Sequence, residues 1–162
     1  VNYYNGIFNS SSHLINLLEK LFQPMGKVSG LSYKFGSVVD PTISFVAEVG
    51  KIETFFRGLS DVNYCVLEVD MLFSKERIKL VNDKLEHWKI FSGDGFHFLR
   101  QVKNSPLKID INRSFFDVYN NIYQHLINKK NSLCTPEEAL HALNVACTAV
   151  ASSKNRKKII FV

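Results

Sequence analysis

The middle of the chain alternates short apolar runs with tight turns, and this pattern constrains the fold more than any other feature. In residues 43–49, the apolar side chains at every second position alternate with Ser44, Val46 and Glu48, which is typical of a strand with one mostly apolar face. Gly50-Lys51 is a turn signal, and residues 52–59 return as a second run. Further runs cover 64–73, 78–81 and 85–91, with turns at 74–77 and 82–83 and a weaker run at 96–102. Strands joined by such short connections pair antiparallel, so the sequence predicts an antiparallel sheet.

Helical signals lie at both ends of the chain. Near the start, Leu14, Leu17, Leu18 and Leu21 recur with helical spacing, and this helix should end near Phe22, before Gln23-Pro24. Near the end, Ser114 with Asp117 resembles a capping box, and Thr135-Pro136 is a stronger helix start. With strands at 27–35 and 158–162, the sequence predicts an α+β fold, a large mostly antiparallel sheet with helices packed on one face.

Bulk properties exclude several classes of function. The 162 residues suffice for a single domain with its own core, and no apolar run reaches the length of a membrane span. The net charge is +5, but much of it lies in residues 154–158, so we expect neither a nucleic-acid nor a membrane partner. Cys65, Cys134 and Cys147 are widely spaced without a C-x-x-C motif, which argues against zinc and favours reduced thiols in a cytoplasmic protein.

Candidate chemistry concentrates in the segment from Gly6 to Asn16. Asn9 and the three serines that follow it favour turns and helix caps, and His13 should therefore lie in the first helical turn. The helix dipole disfavours positive charge there, and a neutral imidazole accepts a proton or a hydrogen bond from a hydroxyl. The alternative is that His13 is a solvated residue at a helix start.

The same segment resembles the start of the C-terminal domain in the glucose–fructose oxidoreductase / inositol dehydrogenase (Gfo/Idh/MocA) family. That family has a pattern close to G-x-x-x-D-x-G-x-H-x-x-D, and here Asn9 and Asn16 stand at the positions of the two Asp residues. The chain is most similar to a branch written G-I-F-N-x-x-S-H-L-I-D, associated with surface-polysaccharide sugar enzymes. The matching residues are Gly6, Ile7, Phe8, Asn9, Ser12, His13, Leu14 and Ile15.

The resemblance covers nearly the whole chain and implies both a fold and a role. It implies a dihydrodipicolinate-reductase-like C-terminal domain, the substrate and oligomerisation half of a longer NAD(P)-dependent oxidoreductase acting on a sugar or nucleotide-sugar. His13 would be catalytic, and Asn9, Ser12 and Asn16 would bind substrate. The open face of the sheet would form a homo-oligomer contact.

The resemblance also implies that NAD or NADP is bound mainly by an N-terminal Rossmann domain outside residues 1–162. No G-x-G-x-x-G motif occurs here, and Gly93-Asp94-Gly95 is interpreted as a turn. We therefore expect these residues alone to be inactive, with no cofactor or metal site of their own.

Other interpretations stay open at this point. The alternative to the enzyme domain is a stand-alone, non-catalytic α+β module for ligand binding or oligomerisation. Trp88 is placed either to stack on a ligand or to pack on a neighbouring strand. His87, His97, His125 and His141 are scattered and are expected at the surface or in packing roles.

Overall fold

The predicted central hairpin forms the middle of the sheet. In this computed structural model, which describes residues 1–34, 39–60, 62–91, 97–103, 110–155 and 158–160, β3 (Thr42–Val49) pairs antiparallel with β4 (Ile52–Leu59). Phe45 and Phe56 face each other across the pair, both fully buried, with stacked rings whose centroids are 4.3 Å apart. The alternation in the sequence thus places one face of the hairpin in the core.

The remaining elements follow the predicted order with shifted ends. The strands are β1 (Asn2–Tyr4), β2 (Met25–Lys34), β5 (Leu67–Leu72), β6 (Glu76–Val81), β7 (Lys84–Phe91), β8 (Phe98–Gln101) and β9 (Lys158–Ile160). The α-helices are α1 (Ser12–Leu21), α2 (Ile111–Asn128) and α3 (Pro136–Asn155). The α+β class and the mostly antiparallel pairing are confirmed. Residues 35, 93–96 and 161–162, included in predicted strands or a predicted turn, lie outside the described ranges.

Two expectations about these elements were wrong. Strand β1 was not predicted; it pairs parallel with β4 and antiparallel with β5. Helix α2 begins at Ile111, so Ser114 and Asp117 lie inside it and do not cap it. Asp117 instead accepts a hydrogen bond from Arg113, one turn earlier, at 3.2 Å. An i, i+4 ion pair of this kind supports a helix that has already started.

Contacts divide the chain into two compact units. The first comprises Val1–Val69 with Pro136–Val162, and the second comprises Asp70–Thr135. In the first unit, the strand order is β5-β1-β4-β3-β2-β9, helix α3 packs on β2 and β3, and α1 packs on α3. In the second unit, β6, β7 and β8 pair antiparallel in sequence order.

Small residues make the close packing of α3 possible. The buried side of this helix consists of Ala142, Val145, Ala146, Ala149, Ser152 and Ser153, whereas Leu140 and Leu143 are about half exposed. Gly30 of β2 lies directly against the backbone of Ser153, and its N–H donates to Ser152 Oγ at 2.9 Å. Within the described ranges, no helix combines the length and apolar character that a membrane crossing requires.

Candidate functional site

The segment before α1 is a π-helix, which corrects the expectation of a turn. It spans Gly6–Ser11 and continues directly into α1. Asn5, which precedes it, is in the left-handed region with φ 59°, and Gly6 has φ 91°. Residues with a side chain rarely adopt a backbone φ near 91°, so the bend requires glycine at position 6. π-helices are rare and occur frequently at functional sites.

The first backbone amides of this π-helix donate hydrogen bonds to residues 40–42, which follow them by 31–36 positions in the sequence. The N–H of Gly6 donates to Thr42 Oγ1 at 3.1 Å, and that of Ile7 donates to the Pro41 carbonyl at 3.0 Å. The Asp40 carboxylate accepts the next two, from Phe8 to Oδ1 at 2.7 Å and from Asn9 to Oδ2 at 3.1 Å. Four consecutive donors at a helix start, which lack intrahelical partners, are thus satisfied in order.

The serines of the segment do not cap α1, contrary to expectation. Ser11 is the N-cap residue but makes no side-chain cap bond. Its Oγ is fully buried, and no hydrogen-bond partner for it exists among the described residues. Ser12 Oγ donates backwards, at 2.6 Å from the Phe8 carbonyl oxygen and 3.2 Å from that of Asn9. The capping prediction rested on local signals, which cannot reveal that α1 continues directly from a π-helix and that Asp40 caps the start of that π-helix.

His13 lies in the first turn of α1, as predicted, and its side chain is exposed. Asn16 follows three residues later on the same face of the helix and is half-buried. Asn9 is exposed in the π-helix just before His13. The fold therefore brings an imidazole and two amide side chains to one side of this helical segment, where they can hydrogen-bond hydroxyl groups.

A small cleft adjoins this face without including His13 or Asn9. It is lined by Asn16, Glu19, Lys20, Pro24, Glu138 and His141 and has a volume of ≈ 90 Å³. Glu19, which is mostly buried, accepts bonds from Met25 N–H at 2.9 Å and faces His141 Nδ1 at 2.8 Å. These contacts tie α1 to α3 and β2. The cleft is far smaller than the pockets that enclose small-molecule ligands, about 300–1,000 Å³, so it does not enclose a sugar by itself.

Trp88, the aromatic candidate of the second unit, packs under a cation. The Arg77 guanidinium lies 5.2 Å from the centroid of its ring. Arg77 in turn donates from Nε and Nη2 to Asp70 at 2.9 and 2.5 Å, and these hydrogen bonds lower the pKa of Asp70. His87 is buried beside Glu76, with Nε2 and Oε2 2.8 Å apart. This arrangement favours the packing interpretation of both Trp88 and His87.

The described residues gather no three His, Cys, Asp or Glu side chains in a metal-binding arrangement. All three cysteines fall within those residues, and the structure shows them exposed and without a disulfide. The Tyr3 hydroxyl donates to the carbonyl of Ile43, next to residues 40–42, which accept the amides of the π-helix. Tyr3 is buried, and burial raises the pKa of its hydroxyl. Tyr3 is therefore a neutral structural phenol beneath the site.

Comparisons with known proteins agree with this geometry at the level of the fold. No protein-family model matches the sequence, and no curated protein matches it. Among solved structures, levoglucosan dehydrogenase in complex with NADH superposes with a TM-score of 0.76 at 8% identity, covering 98% of this chain and 56% of that one. UDP-N-acetylglucosamine 3-dehydrogenase GnnA from Acidithiobacillus ferrooxidans gives a TM-score of 0.77 at 9% identity over 95% and 53%.

A third solved structure is an oxidoreductase from Agrobacterium radiobacter in complex with NAD⁺, L-tartaric acid and magnesium. It has a TM-score of 0.69 at 9% identity and covers 98% of this chain and 55% of that one. The chain thus spans about half the length of the solved structures it matches. Its fold is that of the C-terminal domain of Gfo/Idh/MocA-type oxidoreductases, the family that the segment around His13 resembles.

Proposed function

We propose that this chain is the substrate-binding and oligomerisation domain of an NAD(P)-dependent oxidoreductase that acts on a sugar or nucleotide-sugar. The observation that carries the proposal is the backbone match, over nearly all of the chain, to levoglucosan dehydrogenase and UDP-N-acetylglucosamine 3-dehydrogenase. The exposed His13 at the junction of a π-helix and an α-helix supplies a candidate reactive group in that fold. The branch that the segment resembles extends the proposal to surface-polysaccharide biosynthesis in the cytoplasm.

His13 is the proposed acid/base group. An oxidised carbinol must lose its hydroxyl proton, and an imidazole within hydrogen-bond reach of the hydroxyl can accept that proton and return it in the reverse direction. The exposed ring of His13 leaves room for a substrate to approach. The segment lacks the carboxylate that other branches place at position 9, so in this chain His13 acts beside an uncharged amide.

Asn9, Ser12 and Asn16 are the proposed substrate-binding residues. The amide groups of Asn9 and Asn16 can each donate and accept, which suits the neighbouring hydroxyls of a sugar. Ser12 Oγ already donates to backbone carbonyls, so its remaining capacity toward substrate is as an acceptor. All three residues lie on the same helical segment as His13, which supports these roles.

The described residues do not fit a nicotinamide cofactor as its main binding site. The sequence contains no glycine-rich loop that opens a helix, the feature that cradles a pyrophosphate. We therefore place NAD or NADP mainly on an N-terminal Rossmann domain of the same enzyme, and we derive no step through the cofactor from this chain.

The experiment is an assay of the full-length enzyme with NAD⁺ and with NADP⁺ against a panel of nucleotide-sugars, free sugars and small hydroxy acids. We expect reduced cofactor to form with a sugar or nucleotide-sugar, and Asn9→Ala to weaken substrate affinity by about 1–2 kcal/mol, the scale of one lost hydrogen bond. Turnover of hydroxy acids only would contradict the substrate class. If the full-length protein binds a sugar but neither converts it nor binds a nicotinamide cofactor, the result would favour the non-catalytic module.

A further inference from the structure

Asp40 lies outside the segment 6–16 and contacts it directly. Its two carboxylate oxygens accept the backbone N–H groups of Phe8 and Asn9, the latter being a proposed substrate-binding residue. In the sequence, Asp40-Pro41 is a turn signal, and neither the pattern around His13 nor the lining of the cleft includes Asp40. Each oxygen of its carboxylate accepts one backbone amide, an arrangement typical of anion contacts at a helix start.

The contact is made possible by Gly6. A Cβ atom on Gly6 would overlap the Asp40 carboxyl group, and the φ of 91° at Gly6 would strain any other residue. The missing side chain therefore opens the space that the carboxylate occupies. Gly6 and Asp40 act as a pair, because one provides the bend and the room and the other provides the acceptors.

The hydrogen bonds of Asp40 favour the π-helix over an α-helix. A π-helix closes its hydrogen bonds one residue further along the chain than an α-helix does, so its first amides need outside acceptors over a longer stretch. If the segment relaxed to α-helical bonding, Asn9 would rotate about the axis relative to His13. The Asp40 carboxylate, two residues before the start of β3, accepts the backbone amide of Asn9 and opposes that rotation.

We propose that Asp40 is a positioning residue for the candidate site, whose carboxylate holds the π-helix in the register that presents Asn9 and His13 to substrate. The proposal rests on the proposed roles of those two residues. Asp40 does not touch the substrate and exchanges no proton with it; it acts through the backbone of Phe8 and Asn9.

The test uses the full-length enzyme with the variant Asp40→Asn. The variant keeps the shape of the side chain but turns one of the two acceptors into a donor and removes the negative charge. The matched control is Ser44→Ala, which removes another side-chain acceptor of a backbone amide: Ser44 Oγ, on β3, lies 3.2 Å from the amide nitrogen of Gly58, outside the segment 6–16. Amide hydrogen exchange, steady-state kinetics well below the melting temperature and a melting curve are measured for each.

In Asp40→Asn, we expect the amides of Phe8, Asn9 or both to lose exchange protection, with kcat/KM lowered by about 10- to 100-fold, the scale of a small misplacement of reacting groups. The displacement of Asn9 should raise KM, and that of His13 should lower kcat. In Ser44→Ala, we expect the exchange protection of the Phe8 and Asn9 backbone amides and the kinetic constants to stay at wild-type values. This should hold even if the melting temperature falls as much as in Asp40→Asn.

Four outcomes distinguish a failure of this proposal from a failure of the proposed function. Unchanged exchange at Phe8 and Asn9 in Asp40→Asn would overturn the positioning role, whatever the activity. Lost protection with unchanged kcat/KM, or an equal loss of kcat/KM in Ser44→Ala, would also overturn it, since the contact would then be structural only. A wild-type rate in His13→Ala would refute the proposed function of the site even where Asp40 holds the π-helix as described.

Discussion

Ser11 and Ser152 are both fully buried, but their hydroxyl groups are in different situations. Ser152 Oγ accepts the N–H of Gly30, whereas Ser11 Oγ has no partner in the part of the chain that the structure describes. A buried hydroxyl without a partner costs stability, so we expect Ser11→Ala to raise the free energy of unfolding by about 1 kcal/mol. Ser152→Ala should lower it by about 1–3 kcal/mol, because an amide loses its acceptor.

The measurement is urea unfolding of both variants under identical conditions. A loss of stability in Ser11→Ala as large as that in Ser152→Ala would show that the Ser11 hydroxyl is satisfied in solution.

The pairing of Asp70 with Arg77 predicts a dependence of stability on pH. Hydrogen bonds from Arg77 lower the pKa of Asp70 in the folded state. The carboxylate therefore contributes stability above its unfolded pKa, about 4, and that contribution is lost as the pH falls through the lower folded value. Asp70→Asn should flatten the acid side of the curve of unfolding free energy against pH. The exposed turn carboxylate in Asp83→Asn is the control, and a curve as flat in that variant would contradict the assignment.

Strand β2 contains two glycines, Gly26 and Gly30, and its close contact with α3 depends only on Gly30. A Cβ atom on Gly30 would overlap the backbone of Ser153, whereas a Cβ on Gly26 would meet nothing within 4 Å. Gly30→Ala should therefore lower the free energy of unfolding by about 1–3 kcal/mol, the scale of overpacking. Gly26→Ala should change it by less than about 0.5 kcal/mol. Equal melting temperatures for the two variants would show that α3 is not held this closely on the sheet.

The elements themselves were predictable where their signals are local. The β3–β4 hairpin and the start of α3 at Pro136 were predicted correctly, because a two-residue turn and a Thr-Pro helix start act within a few residues. Strand β1 was missed because its three residues form a strand only through pairing with β4 and β5, more than 50 residues away.

The candidate site was predictable to the same extent. The stripe of leucines placed His13 correctly in the first turn of α1. The π-helix and its acceptors were not predictable, because they depend on Asp40 and Thr42, which approach Gly6 only in the folded chain. Such long-range contacts override local preferences for turns and caps.

At the scale of the whole molecule, exposed apolar side chains predict self-association. Phe55 and Phe56 are consecutive in β4, yet Phe55 is 58% exposed and Phe56 is 1% exposed. The two residues therefore lie on opposite faces of the strand, and a large exposed apolar side chain such as Phe55 favours contact with a protein partner. We propose that this open face joins two copies of the chain.

Light scattering at ~0.1 mM, where contacts of micromolar affinity form, is expected to show a dimer or larger oligomer. Phe55→Ser should shift the mass toward that of the monomer with little change in melting temperature. Phe56→Ser should instead destabilise the fold, because Phe56 stacks on Phe45 in the core. A wild-type protein that is monomeric at this concentration would count against the open face as a contact.

The central claim is that His13 carries acid/base chemistry in an oxidoreductase with this fold, and the most direct test is the turnover of His13→Ala in the full-length enzyme. His13 is exposed and precedes the buried residues of α1, so its removal should leave the melting temperature nearly unchanged. The account predicts that kcat falls by about 10²- to 10⁴-fold, the contribution of a positioned acid/base group. A wild-type kcat with the fold intact would contradict it.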